Sequence, residues 1–276
     1  MIVVSGIGAV ADETCNSTPF LKARKTRKFM GKQDEMAVVA AARALQSASM
    51  DMQLGERCGL YMSVGYIPFE REDIDLLIDA SLDDGRFSMQ RFASNAFGAI
   101  NPLLTFRVLP NMPAFHVSLN FNIQGPYVVT YPGVAQFYLA LEEAFTALES
   151  DAIDVALVGA VADQDNLLVQ HHFSRIEPPV DNLANAAAFL VLQREADAKH
   201  QRASLLDWQL RYTAVDPFAA IPHRECLQRN GVCIAGSRFL GPASLGVALA
   251  ASERAHLVHR VTSRDGFDAS STWELA

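Results

Sequence analysis

A layered α/β fold is predicted from three observations. Half of the 276 residues are apolar and 20% are charged, a balance that fills a sizeable core and excludes a disordered chain or a small disulfide or zinc scaffold. Short apolar runs alternate with helical stretches along the whole length, the rhythm of strands and helices stacked in layers. Segments 127–131, 134–149 and 154–161 read as strand, helix and strand, a βαβ unit whose last strand is apolar throughout and so buried on both faces.

From the N-terminus, 2–10 is a strand that runs into small residues. Segment 22–32 holds Lys22, Arg24, Lys25, Arg27, Lys28 and Lys32; it reads as a solvated loop or, functionally, as a docking patch for an acidic partner. The alanine-rich stretch 34–49 is a helix with Asp34 as its cap, 58–64 is a strand, and 69–78 is a charged amphipathic segment. Gly125 and Pro126 open the strand 127–131, and Pro132 and Gly133 break it. In the helix that follows, Val134, Phe137, Tyr138, Leu141, Ala144, Phe145 and Leu148 step by three and four, giving one wide buried face. Segment 163–185 reads as a polar loop, 186–192 as a strand, 194–201 as a charged helix and 204–212 as a strand. A helix at 243–252 and strands at 256–261 and 272–275 complete the chain.

Composition removes several classes of function. Lys and Arg total 23 against 31 Asp and Glu, a net charge of -8, which argues against general nucleic-acid binding. No apolar run reaches a membrane span, and the first residues read as a strand without a basic leader, so a cytoplasmic protein is expected. The four cysteines (Cys15, Cys58, Cys226, Cys233) form no CxxC pair, as expected of reduced thiols. Phosphate-loop and nucleophile-elbow motifs are missing. Gly6 and Gly8 follow a strand without the third glycine or acidic partner of a dinucleotide site. His171 and His172 invite a metal reading against that of two surface histidines, and His223 with Cys226 could pair as base and nucleophile or simply pack. Neither metal nor cofactor is expected.

From residue 125 to 161 the chain resembles the β-ketoacyl synthases of the thiolase-like fold. In that family a Gly-Pro opens a strand leading to a nucleophilic cysteine, then a helix, then an Asp-x-Ala-Leu-x-Gly strand. Here Gly125, Pro126, the amphipathic helix and Asp154 through Gly159 fall in register. Asn111, Met112 and His116 resemble the family's Asn-Met-x-x-x-His helix start. Segment 1–10 is similar to its first strand, 187–199 to a strand followed by a Leu-Glu-x-x-x-x-Ala helix, Leu240 and Gly241 to a Thr-Gly-His segment, and Gly266, Phe267 and Asp268 to a Gly-Phe-Gly loop. The resemblance implies a layered α-β-α-β-α fold, here with a shortened C-terminal half, in one compact unit divided at 1–175 and 176–276.

The departures fall on the catalytic positions. The family's cysteine position holds Val134, its lysine position Ser237 and its histidine position Pro242, and the His-x-Thr-x-Thr segment is absent between Tyr212 and Val232. Valine has neither a lone pair for attack nor a proton to lose. The resemblance therefore implies a catalytically silent subunit, similar to the chain-length factors of type II polyketide and aryl-polyene-like ketosynthase heterodimers. Its partners would be an active β-ketoacyl synthase and an acyl carrier protein. Tyr127, Val128, Val129, Thr130 and Tyr131 would form the strand at the subunit interface, and Phe69, with Tyr66, Leu76 and Leu104 behind it, would gate an acyl tunnel. Arg24, Lys25, Arg27 and Lys28 would meet the carrier protein. Two alternatives stay open: a homodimeric module that binds an acyl chain or carrier protein, and an acyltransferase or thioesterase with relocated chemistry at Cys226 or Cys233 with His223.

Overall fold

The first strand, β1 (Ile2–Ala11), packs against α1 (Lys32–Ser47) so closely that side chains are excluded. A Cβ at Gly8 would overlap the backbone of Ala40 and Ala44, and one at Gly6 the Ala44 carbonyl. The Gly6/Gly8 pair thus serves helix-on-strand contact. This computed structural model describes residues 1–130, 132–175, 179–180, 182–214, 224–234, 238–263 and 265–276; Tyr131, His223 and Ser237 lie outside them.

After α1 come β2 (Cys58–Val64) and α2 (Arg71–Ser81). The small hairpin of β3 (Leu82–Asp83) and β4 (Arg86–Phe87) leads to the one-turn helices α3 (Met89–Arg91) and α4 (Phe97–Ala99) on either side of a π turn. Next are α5 (Leu104–Val108), α6 (Met112–Phe121), β5 (Tyr127–Thr130), α7 (Gln136–Glu149), β6 (Val155–Ala162) and α8 (Leu167–Ser174). The remainder is β7 (Ala186–Arg194), β8 (Ala203–Tyr212), β9 (Arg224–Arg229), β10 (Val232–Cys233), α9 (Ser244–Ala250), β11 (His256–Thr262) and β12 (Phe267–Leu275).

Ten strands run in the order β10-β9-β11-β12-β8-β1-β7-β6-β2-β5. In the first half β5 and β6 flank β2 in parallel, while β7 and β1 add antiparallel. A short bridge, Val3 to Ser204 and Val4 to Ala203, joins it to an all-antiparallel second half. The expected division at 175/176 therefore precedes β7, which still belongs to the first half; the strands of the second begin at β8.

Two cores set the layers. Met36, Val39 and Leu45 of α1 and Val117 and Phe121 of α6 cover one face of the first half-sheet, against Leu60, Met62, Leu157, Phe189 and Val191. On its other face α7 and α9 bring Phe137, Leu141, Leu148, Leu245 and Leu249 between Ala156, Val158 and Leu190 on one side and Leu257, Val261 and Trp273 of the second half-sheet on the other. The thiolase-like layering with a shortened C-terminal half is thus present. The shortening falls on the last layer: among the described residues the order is α-β-α-β, with the far face of the second half-sheet open. Register pairs Arg211 with Asp268, Thr262 and Arg224 in one outward row, and Gln209 with Ser270, Arg260 and Cys226 in the next. An antiparallel sheet tolerates water on one face, and along β11 and β12 buried residues alternate with exposed or half-buried ones. Among the described residues no helix is long and apolar enough to cross a membrane.

Four expectations are corrected. The first helix starts two residues early, at Lys32: Gly31 is the cap residue and its N–H donates to Asp34 at 2.7 Å from the third helical position. The polar loop 163–185 contains α8, whose N-terminus is closed by the Asn166 side chain accepting from the Val169 N–H at 3.1 Å. No charged helix occupies 194–201. Instead β7 runs to Arg194 and turns, because Arg194 is held by Asp154 (2.6 Å) and Asp197 (2.9 Å), and tertiary ion pairs override a weak local propensity. The basic segment is likewise folded: Arg24–Phe29 form a 3-10 helix, and Arg27 pairs with Glu35 at 3.1 Å.

Candidate functional site

The parallel strands β2, β5 and β6 release the chain at one edge, the place where open α/β sheets bind ligands. Gly65 and Tyr66 follow β2, Pro132, Gly133 and Val134 lead from β5 into α7, and Gln164 follows β6. Together with α8 and the 3-10 turn Gly241–Ala243 ahead of α9 they enclose a chamber of about 560 Å³. Val134 and Pro242, which the sequence aligned with two separate catalytic positions, both line it. Val134 is 3% exposed.

Its polar walls were not anticipated. His171 and His172 stand on the last turn of α8 rather than on a loop, and both line the chamber. The Tyr66 hydroxyl lies 3.0 Å from Nε2 of His172, with ring centroids 4.6 Å apart. Ser263 and Asp265 also line the chamber; the Gln136 amide donates to Asp265 at 2.7 Å and the Ser263 hydroxyl donates to the other oxygen of Asp265, which ties the loop ahead of β12 to the start of α7. No local pattern flags Asp265, because its partner is far away in the chain.

A second, mainly apolar cavity of about 510 Å³ adjoins the first, lined by Val64, Ile67, Phe69, Val129 and Val169 among others. Tyr66, Leu168 and His172 line both spaces, so the Tyr66–His172 pair stands on the partition. Of the four residues proposed as a gate, Phe69 and Tyr66 meet here. Leu76 is 53% exposed on α2. Leu104 lines a third, charged cavity of about 500 Å³ with Arg27, Lys28, Lys32, Arg107 and Asp163; there burial pushes the Asp163 carboxyl upward although Lys32 lies 3.2 Å away. Arg24, Lys25, Arg27 and Lys28 are exposed.

Among the described residues β5 is the last strand of the sheet and pairs on one side only, with β2. Tyr127 is 68% exposed, and Phe115 and Leu119 of the preceding α6 are also exposed; Val128, Val129 and Thr130 are half-buried. An unpaired edge with apolar neighbours is a template for another strand.

The thiols lie elsewhere. Among the described residues that line the chamber none is a cysteine. Cys58 sits in the first core, where burial pushes its pKa up to about 12. Cys226 is on the outward face of β9, 3.9 Å from Cys233, and neither lines either cavity. No group of three or more His, Cys, Asp or Glu among the described residues is placed to hold a metal ion.

Residues 4–197 match the family model described as Beta-ketoacyl synthase, N-terminal domain. No curated protein sequence matches the chain. Among solved structures, the chain is similar to a protein of the complex of a type II polyketide acyl-carrier protein with its hexaketide-bound ketosynthase (AntDE with AntF), at 14% identity and TM-score 0.71, covering 100% of this chain and 99% of that one. It is similar to the ishigamide ketosynthase/chain length factor at 14% identity and TM-score 0.68, covering 99% of each chain. A β-ketoacyl synthase from Burkholderia phymatum STM815 matches at 16% identity and TM-score 0.55, over 79% of this chain and 65% of that one.

Proposed function

Because the chain belongs to the β-ketoacyl synthase family, we propose that it is a non-catalytic, chain-length-factor-like partner of an active β-ketoacyl synthase, forming a heterodimer and shaping the space into which an acyl chain grows. The observation that carries the reading is Val134, a buried aliphatic side chain at the chamber wall, at the position that the sequence resemblance matches to the family's cysteine. Condensation needs a sulfur nucleophile and donors that stabilise the developing negative charge. Val134 and Pro242 supply neither, and Ser237 stands at the lysine position. The β5 edge supports association through main-chain pairing at Tyr127, Val128, Val129 and Thr130, with Tyr131 next in the chain. The apolar cavity supports an acyl role. Phe69 takes up volume that methylenes would otherwise fill, and each methylene excluded is worth about 0.8 kcal/mol, or roughly fourfold in affinity. The exposed Arg24, Lys25, Arg27 and Lys28 would steer an acidic carrier protein. The proteins it resembles, a ketosynthase in complex with its acyl-carrier protein and a ketosynthase/chain length factor, act in this setting. The four unpaired thiols suit a reducing cytoplasm.

Co-expression with an intact ketosynthase encoded beside it tests the proposal. A stable 1:1 complex is expected, and Phe69→Ala in that complex should lengthen the products. The β5 edge could equally pair with a second copy, so a homodimer that ignores every candidate synthase yet binds acyl chains would favour the homodimeric module instead. Relocated catalysis at Cys226 or Cys233 has less support, since the two sulfurs face each other on the open side of the second half-sheet.

A further inference from the structure

That open face carries an inference independent of the acyl cavities. β9 turns into β10 through Asn230 and Gly231, both left-handed (φ 51° and 79°), as a two-residue type I′ hairpin requires. The turn fixes the register: Arg229 faces Val232, Gln228 faces Cys233, and the Ile234 N–H donates to the Leu227 carbonyl at 2.7 Å. Cys226 is two residues from Gln228, so side-chain alternation places Cys226 and Cys233 on the same, outward face. Their sulfurs are already 3.9 Å apart, and the Gln228 amide donates to the Cys226 sulfur at 3.8 Å. Cys233 is exposed and Cys226 half-buried. Contact with Cys226 raises the pKa of Cys233, as expected of a thiol that shares its proton with the neighbouring sulfur. Cys58, by contrast, is enclosed in the first core.

We propose that Cys226 and Cys233 form a dithiol–disulfide site, oxidised by a small disulfide such as oxidised glutathione. The accessible Cys233, as thiolate, attacks one sulfur of the oxidant; a mixed disulfide forms and one glutathione thiolate leaves. Cys226 then gives up its proton and attacks the Cys233 sulfur, forming the Cys226–Cys233 bond and expelling the second glutathione. Two electrons and two protons pass from the protein to the oxidant. Closing the remaining ~2 Å to the bonded distance takes side-chain rotation and a small shift of β10, which ends the sheet and is paired on one side only. The bond closes the hairpin at this free edge, and a reducing thiol pool reverses it.

The full chain is incubated with excess oxidised glutathione, quenched with N-ethylmaleimide, and weighed intact and after trypsin. The expected result is a loss of two hydrogens in mass, a fall in alkylatable thiols from four to two under denaturing conditions, and a disulfide linking tryptic peptides 225–229 and 230–238. In Cys226→Ser the glutathione adduct on Cys233 should persist. A wild-type protein that keeps all its thiols free, holds glutathione on Cys233 without closing, or bonds Cys233 to Cys15 overturns the proposal. None of these outcomes depends on whether the chain pairs with a synthase.

Discussion

Asp34 and His116 meet in the first core, each 1% exposed, with Oδ2 and Nε2 4.0 Å apart. Among the described residues neither ring nitrogen of His116 has a hydrogen-bond partner. Burial raises the Asp34 pKa to about 7 and lowers that of His116 to about 4, so both groups are neutral in the folded chain between those values. The contribution of Asp34 is fully present below its unfolded pKa of 3.8 and is lost as pH rises through about 7. That of His116 runs the other way: it is present above 6.5 and lost as pH falls through about 4. Within the shared window the folded pair holds its proton on Asp34 and the unfolded pair holds it on His116, so the two slopes, each about 1.4 kcal/mol per pH unit, cancel.

Asp34→Asn removes one slope and leaves the other. The asparagine oxygen still accepts the Gly31 N–H that Asp34 holds at 2.7 Å, so the helix cap survives. Urea unfolding of both proteins at several pH values from 4 to 7 should show the stability of the variant minus that of the wild type climbing by about 1.4 kcal/mol per pH unit, about 4 kcal/mol in all. If the native pair were a buried ion pair, Asp34 would titrate below its unfolded value and the difference would not climb over this range. A flat or falling difference refutes the neutral-pair reasoning.

Trp273→Ala opens a cavity where a fully buried ring packs between α7, α9 and the second half-sheet, and should destabilise the fold by about 3–5 kcal/mol in denaturant unfolding. Tyr138→Phe removes a hydroxyl 2.8 Å from His259 and 2.7 Å from Ser271; leaving those buried groups short of a partner should cost about 1–3 kcal/mol, read as a lower denaturant midpoint. Arg24→Glu with Lys25→Glu should slow carrier-protein association at low salt, with the difference from wild type shrinking at high salt; surface plasmon resonance across salt concentrations checks it.

Legibility from sequence follows how local each determinant is. β2, β6 and β7 are near-continuous apolar runs because both their faces are covered, and α7 shows its buried face by spacing alone. β9 was missed: Arg-Glu-Cys-Leu-Gln-Arg has no apolar alternation, since one face meets water and the inward Glu225 is held by His259 at 3.1 Å. α8 was missed because it has only eight residues, too few for periodicity to show. With it went the placement of His171 and His172, which reach the chamber only because a helix delivers them. Val134 and Pro242 were singled out by the family resemblance, and the fold brings both to one cavity, whereas Asp265, the shared Tyr66–His172 partition and the Cys226–Cys233 contact depend on neighbours that only folding brings together. Leu76 and Leu104 were chosen by type and order in the chain, and their helices point them elsewhere.

Intact mass after acyl loading tests the central claim most directly. The complex with an active ketosynthase is incubated with an acyl thioester, and each subunit is weighed separately. The account predicts an acyl adduct on the synthase and an unchanged mass for this chain, with or without its partner. A stable acyl adduct mapped by peptide sequencing to a residue of this chain at the chamber would contradict it.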